Sequence, residues 1–401
     1  MSTSDYPLIT LHPVADEKHR WTGLLVRTDG AHEGGSTEAT NALIRLFGEF
    51  GLFESLGSLP CILPLTQPGD LDPALAGALP VAQVVLSLPV AQCADPANAA
   101  AIGQLTELGF RLIATGLPAA DAVLPATIQS LAIDCTQGDD ATAAAAWMKR
   151  LAGPHLALGI ESDSGYTGAC GTGFRWIAGN YPLHTVPPKV AGGNPGRTVM
   201  LKLLAQLTAD AEARDIEVTL KQDPHLSYQL LKLVNSVAFS LTTKISSFTQ
   251  AIALLGRRQL QRWLQLLLYA RPKGDGDAAS PLMPRAAMRA GLMEGLARAA
   301  GGHKDLQDKA FMVGMFSLVE PLVGQPAAEV LKPLNLSDDV AVAVTAHQGQ
   351  LGTWLATIVA GETGSPERTR SALVAANVSL ATWAAEQAAA CRWAVQISRE
   401  A

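Results

Sequence analysis

Residues 179–197 read GNYPLHTVPPKVAGGNPGR, with four prolines and four glycines among nineteen residues. Proline removes a backbone donor and glycine loses the most conformational freedom on ordering, so neither helix nor strand runs through such a stretch. The chain divides here, and its two sides follow different periodicities. Before the break, short apolar runs alternate with helical stretches. Candidate strands are WTGLLVR (21–27), CILPL (61–65), AQVVLSL (82–88), FRLIAT (110–115), SLAID (130–134) and HLALGI (155–160). Between them lie STEATNALIRLFGEF and DPANAAAIGQLTELG, the latter with Asp95 as N-cap, Pro96 at the first helical position and Gly109 as a stop. Alternating strand and helix signals predict a mostly parallel sheet, closed as a barrel or open.

After the break the period is helical throughout. VMLKLLAQLTA sets Val199, Leu203 and Leu207 on one face. Asp223 reads as an N-cap with Pro224 behind it, Ser247 opens a capping box with Gln250, and Gly256 closes that helix. RRQLQRWLQLLLYAR follows at once, which predicts two helices joined by a tight turn. A chain of 401 residues, 48% of them hydrophobic, is too long for one core and apolar enough for two. The division expected is an α/β domain over 1–190 and an all-α domain over 191–401.

Charge follows the same division. Residues 1–195 hold 9 Lys and Arg against 18 Asp and Glu, and residues 196–401 hold 21 against 18. Lys232, Lys244, Arg257, Arg258 and Arg262 form the basic part of the second half, a candidate partner surface or a source of salt bridges to the acidic first half. One short patch without interleaved aromatics, in a chain of pI near 5.8, does not fit a nucleic-acid binder. The five cysteines are scattered and form no CxxC pair, so they read as reduced, small apolar groups. No apolar run reaches membrane length and no export signal opens the chain, so a cytoplasmic protein without a membrane partner is expected.

The run DPHLSYQLLKLVNSVAFSLTTKISSFTQAIALLG resembles the HDOD domain of bacterial signalling proteins. The family's DPxLSxxLLxLxNS pattern is met by Asp223, Pro224, Asn235 and Ser236, and its second run by Ser247 and Gly256. The likeness continues through RAGLMEGLARAA, KAFMVGMFSLVE and LNLSDDVAVAV. HDOD domains are related to metal phosphohydrolases whose helix reads G-L-L-H-D. Here the positions are Gly314, Met315, Phe316, Ser317 and Leu318, and neither serine nor leucine replaces the His-Asp ligand pair. The resemblance therefore implies no metal there and no cofactor, and Asn235 and Ser236 read as helix-end packing ahead of ligand binding.

The first half resembles, more weakly, the EAL domain of cyclic-di-GMP phosphodiesterases, a (β/α) barrel often joined to HDOD. WTGLLVR is similar to G-Y-E-L-L-F-R with Gly23 at the glutamate. AQVVLSL is similar to a strand ending in a metal-binding glutamate, here Ser87. In LGFRLIATGL, Thr115 and Gly116 stand for two aspartates. LAID keeps Asp134, and LALGIES keeps Glu161 while Leu158 stands for a glutamate. Two-metal phosphodiester hydrolysis needs several carboxylates around a cation pair, so the resemblance implies a degenerate EAL domain. A non-catalytic signalling protein working through protein contacts is the expectation, with a non-hydrolysing binder of cyclic-di-GMP or another nucleotide as the alternative and a residual phosphodiesterase behind both. ESDSGYTGACGTGF lacks the context of a phosphate loop and reads as a turn-rich connection, and Trp176 and Trp263 read as core or interface aromatics.

Overall fold

The computed structural model describes residues 7–29, 37–71, 73–136, 140–184, 195–223, 248–269, 280–363 and 365–400. Eight strands close a barrel in sequence order. They are β1 (Ile9–Ala15), β2 (Trp21–Thr28), β3 (Cys61–Pro64), β4 (Val84–Pro89), β5 (Arg111–Thr115), β6 (Ile128–Asp134), β7 (Leu156–Leu158) and β8 (Trp176–Ile177). Strands β2 to β8 run parallel, and β1 runs antiparallel to both of its neighbours. Parallel strands are covered on both faces, so their residues are apolar in both directions. In β4, Val85 fills the barrel with Leu25, Ile62, Ile113, Leu156 and Trp176, while Leu86 and Leu88 pack outward under the helices.

The helices of the barrel region are α1 (Thr37–Ile44), α2 (Leu52–Leu56), α3 (Pro73–Ala78), α4 (Val90–Ala94), α5 (Ala99–Glu107), α6 (Asp140–Met148) and α7 (Asp163–Thr172). Asp95 does accept a backbone bond, from the Ala97 N–H at 2.9 Å, at the short turn leading into α5. The segment read as turn-rich is instead α7. Ser162 caps it by accepting the Gly165 N–H at 3.1 Å, Asp163 sits favourably in the first turn, and Tyr166 and Ala169 are buried. That burial outweighs the helix cost of its glycines.

The second half is helical: α8 (Pro195–Thr208), α9 (Ala213–Leu220), α10 (Phe248–Leu267), α11 (Met283–Ala299), α12 (Lys304–Phe316) and α13 (Val319–Val323) come first. Then follow α14 (Ala327–Leu331), α15 (Asp338–Ala346), α16 (Gly349–Thr363), α17 (Pro366–Ala375) and α18 (Leu380–Glu400). Gly256 breaks α10 at φ 75 and ψ 154, the turn between two helices that the sequence predicts there. Helices α11 and α12 approach so closely at Gly314 that a Cβ there would lie 2.6 Å from the Ala290 Cα. Trp176 is buried inside the barrel, and Trp263 packs against the helical core. None of the described helices is long and apolar enough to cross a membrane. Cys61, Cys93 and Cys391 are buried, Cys135 and Cys170 partly so, and all five are free thiols.

Helix α18 belongs to two cores at once. Ala384, Ala388, Cys391 and Val395, spaced four, three and four apart, pack into the barrel core, while Ala390 and Ala394 pack into the helical core. The barrel accepts α18 where its closure is thinnest. Strand β1 pairs with β2 along its whole length but with β8 only at Ala15 and Ile177. On the edge thus left open, the Ile9 carbonyl accepts Trp383 Nε1 at 2.9 Å and Gln387 Nε2 at 2.8 Å, and Gln387 Oε1 accepts the Leu11 N–H at 3.1 Å. Pro13, two residues further, turns its missing N–H to the same edge, where a strand tolerates proline.

Candidate functional site

A cavity of about 420 Å³ lies at the mouth of the barrel. The carboxyl ends of β3, β4 and β5 supply Pro64, Ser87 and Thr115, and β1 and β2 supply Thr10 and Arg27. Gly361, Ser365, Pro366 and Thr369, from the end of α16 and from α17, roof it. An ion pair between Arg370 and Asp29 fastens the roof to the rim, where Asp29 Oδ1 also accepts the Leu8 N–H at 2.6 Å.

Inside, the Ser87 and Thr115 hydroxyls are hydrogen-bonded to each other. Pleating explains the pair: Val85, Ser87 and Ile113, Thr115 alternate inward on adjacent strands. Arg27 enters from the end of β2. Burial pulls its pKa down, and the charges of Asp134 and Glu161 oppose that shift. Asp134 Oδ1 accepts the Thr136 N–H at 3.0 Å, and Glu161 Oε1 accepts Asn180 Nδ2 at 3.1 Å.

Of the seven positions read as remnants of an EAL site, Ser87 and Thr115 line the cavity, and Gly116 follows directly as the chain leaves β5. Asp134 and Leu158 are paired neighbours at the ends of β6 and β7. Glu161 stands just before α7, within electrostatic reach of Arg27. Gly23 lies apart, opposite Val14 near the start of β2, with the Leu25 layer between it and the mouth. Serine and threonine hydroxyls are neutral and do not replace carboxylates around a divalent pair. Among the described residues no three His, Cys, Asp or Glu side chains gather as a metal-holding group.

Of the helical signature, Asp223 and Gly256 are described. Pro224, Asn235, Ser236 and Ser247 lie outside the described residues, as do Lys232 and Lys244. The basic residues that are described do not reach the acidic first half, contrary to that reading of the charge division. Arg257 pairs with Asp210 at 3.0 Å, Arg258 with Asp308, and Arg262 with Glu294 at 2.7 Å and Asp308 at 3.1 Å, over the Phe311 ring. All these partners are in the second half: Arg258 and Arg262, four apart on α10, face α12 and α11, and Arg257 faces the turn between α8 and α9.

Contacts across the two halves use arginines the sequence reading passed over. Arg285 donates to Asn180 Oδ1 at 2.8 Å and to the Gly179 carbonyl at 2.9 Å. Glu362 receives Arg289 in a two-pronged bond at 2.9 and 2.7 Å and lies 3.6 Å from Arg285. Burial pushes the Glu362 carboxyl up, but the Arg289 and Arg285 charges overcome it and hold its pKa below the usual range. One sequence signal did point here. Two arginines four apart in the otherwise apolar PRAAMRAGLM repel on a helix unless an acid is brought between them.

Residues 197–325 match the HDOD domain family. This part of the chain is an HDOD domain. The chain is 29% identical over 198 residues to the uncharacterized protein YuxH of Bacillus subtilis, covering 48% of this chain and 47% of that one. It is 28% identical over 204 residues to the cyclic di-GMP phosphodiesterase CdgJ of Vibrio cholerae, covering 50% and 46%. The chain thus spans about half the length of the curated relatives it matches. Among solved structures, the EAL domain of Mycobacterium smegmatis DcpA matches with a TM-score of 0.36 at 13% identity, over 43% of this chain and 90% of that one. The EAL-like domain protein YdiV matches with a TM-score of 0.34 at 16% identity, over 43% and 90%. The HDOD domain accounts for α8 to α13, and the roof of the cavity is built from helices that follow it.

Proposed function

We propose that this chain is a non-catalytic signal-transduction protein whose barrel and HDOD domain act through contacts with other proteins. The observation that supports this most is the hydroxyl pair of Ser87 and Thr115 at the ends of β4 and β5. Two-metal hydrolysis of a phosphodiester requires carboxylates converging on two cations and a base that activates water. At this mouth Asp29, Asp134 and Glu161 each accept an N–H of the protein itself, and helical residues overlie the opening.

A second reading, a nucleotide binder that does not hydrolyse, is favoured by the cavity itself. It offers one guanidinium, several hydroxyls and apolar walls of Leu8, Leu65 and Pro89. Cyclic di-GMP, the substrate in the name of CdgJ, is the natural probe. Incubation of the full chain with cyclic di-GMP and Mn²⁺ is expected to leave the nucleotide intact. Turnover that Asp134→Ala or Glu161→Ala abolishes would overturn the non-catalytic reading. Calorimetry separates the two readings: no heat at micromolar nucleotide supports protein contacts, and micromolar binding lost in Arg27→Ala supports the binder.

A further inference from the structure

A continuous polar chain runs from the barrel mouth into the HDOD domain. It begins at Glu161, which accepts Asn180 Nδ2 at 3.1 Å. Asn180 Oδ1 accepts Arg285 at 2.8 Å, and Arg285 lies 3.6 Å from Glu362 Oε2. The same oxygen takes Arg289 Nη2 at 2.7 Å, Arg289 Nη1 donates to Ser317 Oγ at 3.0 Å, and Ser317 donates to the Gly314 carbonyl at 2.7 Å.

The donors and acceptors leave this chain little freedom. Guanidinium has no acceptor, so Asn180 must turn its oxygen to Arg285, and its amide N–H is thereby aimed at Glu161. Arg289 occupies a lone pair of Ser317, so the serine proton is directed to Gly314. Arg285 is 7% exposed and Arg289 4% exposed, so water does not replace a lost partner cheaply. Glu362 stands in the last turn of α16, where a carboxylate opposes the helix dipole, and among the described residues Arg285 and Arg289 are the cations that hold it. Gly361 beside it and Ser365 beyond it belong to the cavity roof.

We infer that Arg285 is a positioning residue that couples the Glu161 end of the barrel mouth to the Ser317 end of the HDOD domain, through Glu362 and the α16 terminus. A ligand or partner that disturbs either end then shifts the other, and the coupling is reciprocal. It does not depend on which reading of the cavity holds.

Amide hydrogen exchange of the full chain tests this, comparing Ser317→Ala, Glu161→Ala and the double variant. Ser317→Ala is expected to speed exchange in residues 176–184 by about fivefold or more, and Glu161→Ala to speed it in residues 310–318. The double variant should depart from the product of the singles by about threefold or more. In an Arg285→Met background the singles should multiply independently. Effects confined to each variant's own side, or a product rule obeyed with Arg285 present, overturn the coupling. Should Arg285→Met not fold, Arg285→Lys keeps the charge but lacks the fork that reaches Asn180 and Gly179 together, and the cycle in the native background decides alone.

Discussion

The wall of the barrel from β2 to β7 and the seam between β8 and β1 close the same structure by different means. Along the wall, neighbouring strands share backbone ladders, as where β4 pairs with β5 from Val85 to Pro89. At the seam the backbone contributes one pair, Ala15 with Ile177, and side chains from the helical half do the rest: Trp383 and Gln387 on the open edge of β1, Arg285 on the turn after β8. A barrel closed this way is not an independent unit. Its last closing contacts arrive from the end of the chain, so the state of the helical half is felt directly by the barrel.

The largest expected effect breaks the seam outright. A chain ending at Ser379 removes α18, and Trp383→Ala alone is expected to cost about 3–5 kcal/mol, read by chemical denaturation. Barrel and helices should still unfold in one transition in the intact chain, and two separated transitions would refute the interdependence. Next, Glu362→Gln leaves two buried arginines facing each other and is expected to cost about 3–4 kcal/mol, whereas Ile113→Val in the wall should cost only about 1 kcal/mol.

Acidity sharpens the same contrast, because His12 of β1 sits at the seam. Burial, with Arg27 and Arg285 beside it, pushes its pKa from 6.5 down to about 3. The unfolded chain takes up that proton near pH 6.5 and the native protein does not, so stability is complete above pH 6.5 and falls as pH drops toward 3. About 2 kcal/mol should go between pH 6.5 and 5, and His12→Gln should flatten that slope in denaturation curves. Gln387→Ala, which strips two bonds from the β1 edge, should cost about 1–2 kcal/mol. Arg370→Ala, at the half-exposed rim pair with Asp29, should cost less than about 1 kcal/mol while loosening the cavity roof, seen as faster amide exchange in α17.

Much of this was legible in the residues themselves. Strands β2 to β7 announce themselves as apolar runs, because strands covered on both faces need no polar side. Strand β1, with Pro13 at its centre, and the two-residue β8 carry no such signal, and they are the two strands that meet at the seam. At the mouth, Ser87 and Thr115 were readable through the family resemblance. Arg27 lay unremarked in WTGLLVR, since an arginine at a strand end looks like an ordinary surface charge until the fold sets it at the rim of a cavity. Arg262 likewise reads as one more charge in a basic stretch, and only the packing of α11 and α12 brings Glu294 and Asp308 against it.

The amino-acid sequence by itself determined the two periodicities, the break between them and the HDOD signature, since each depends on residues within a turn or a strand of one another. Only the tertiary structure decided that α18 completes the barrel, that Arg285 and Glu362 meet under the cavity, and that Glu161 and Ser317 stand at two ends of one polar chain. Those pairings join residues far apart in the sequence, 105 positions for Arg285 with Asn180 and 378 for Gln387 with Ile9. Local propensity carries no information about such partners, because the entropy of bringing them together is met only when both cores have formed.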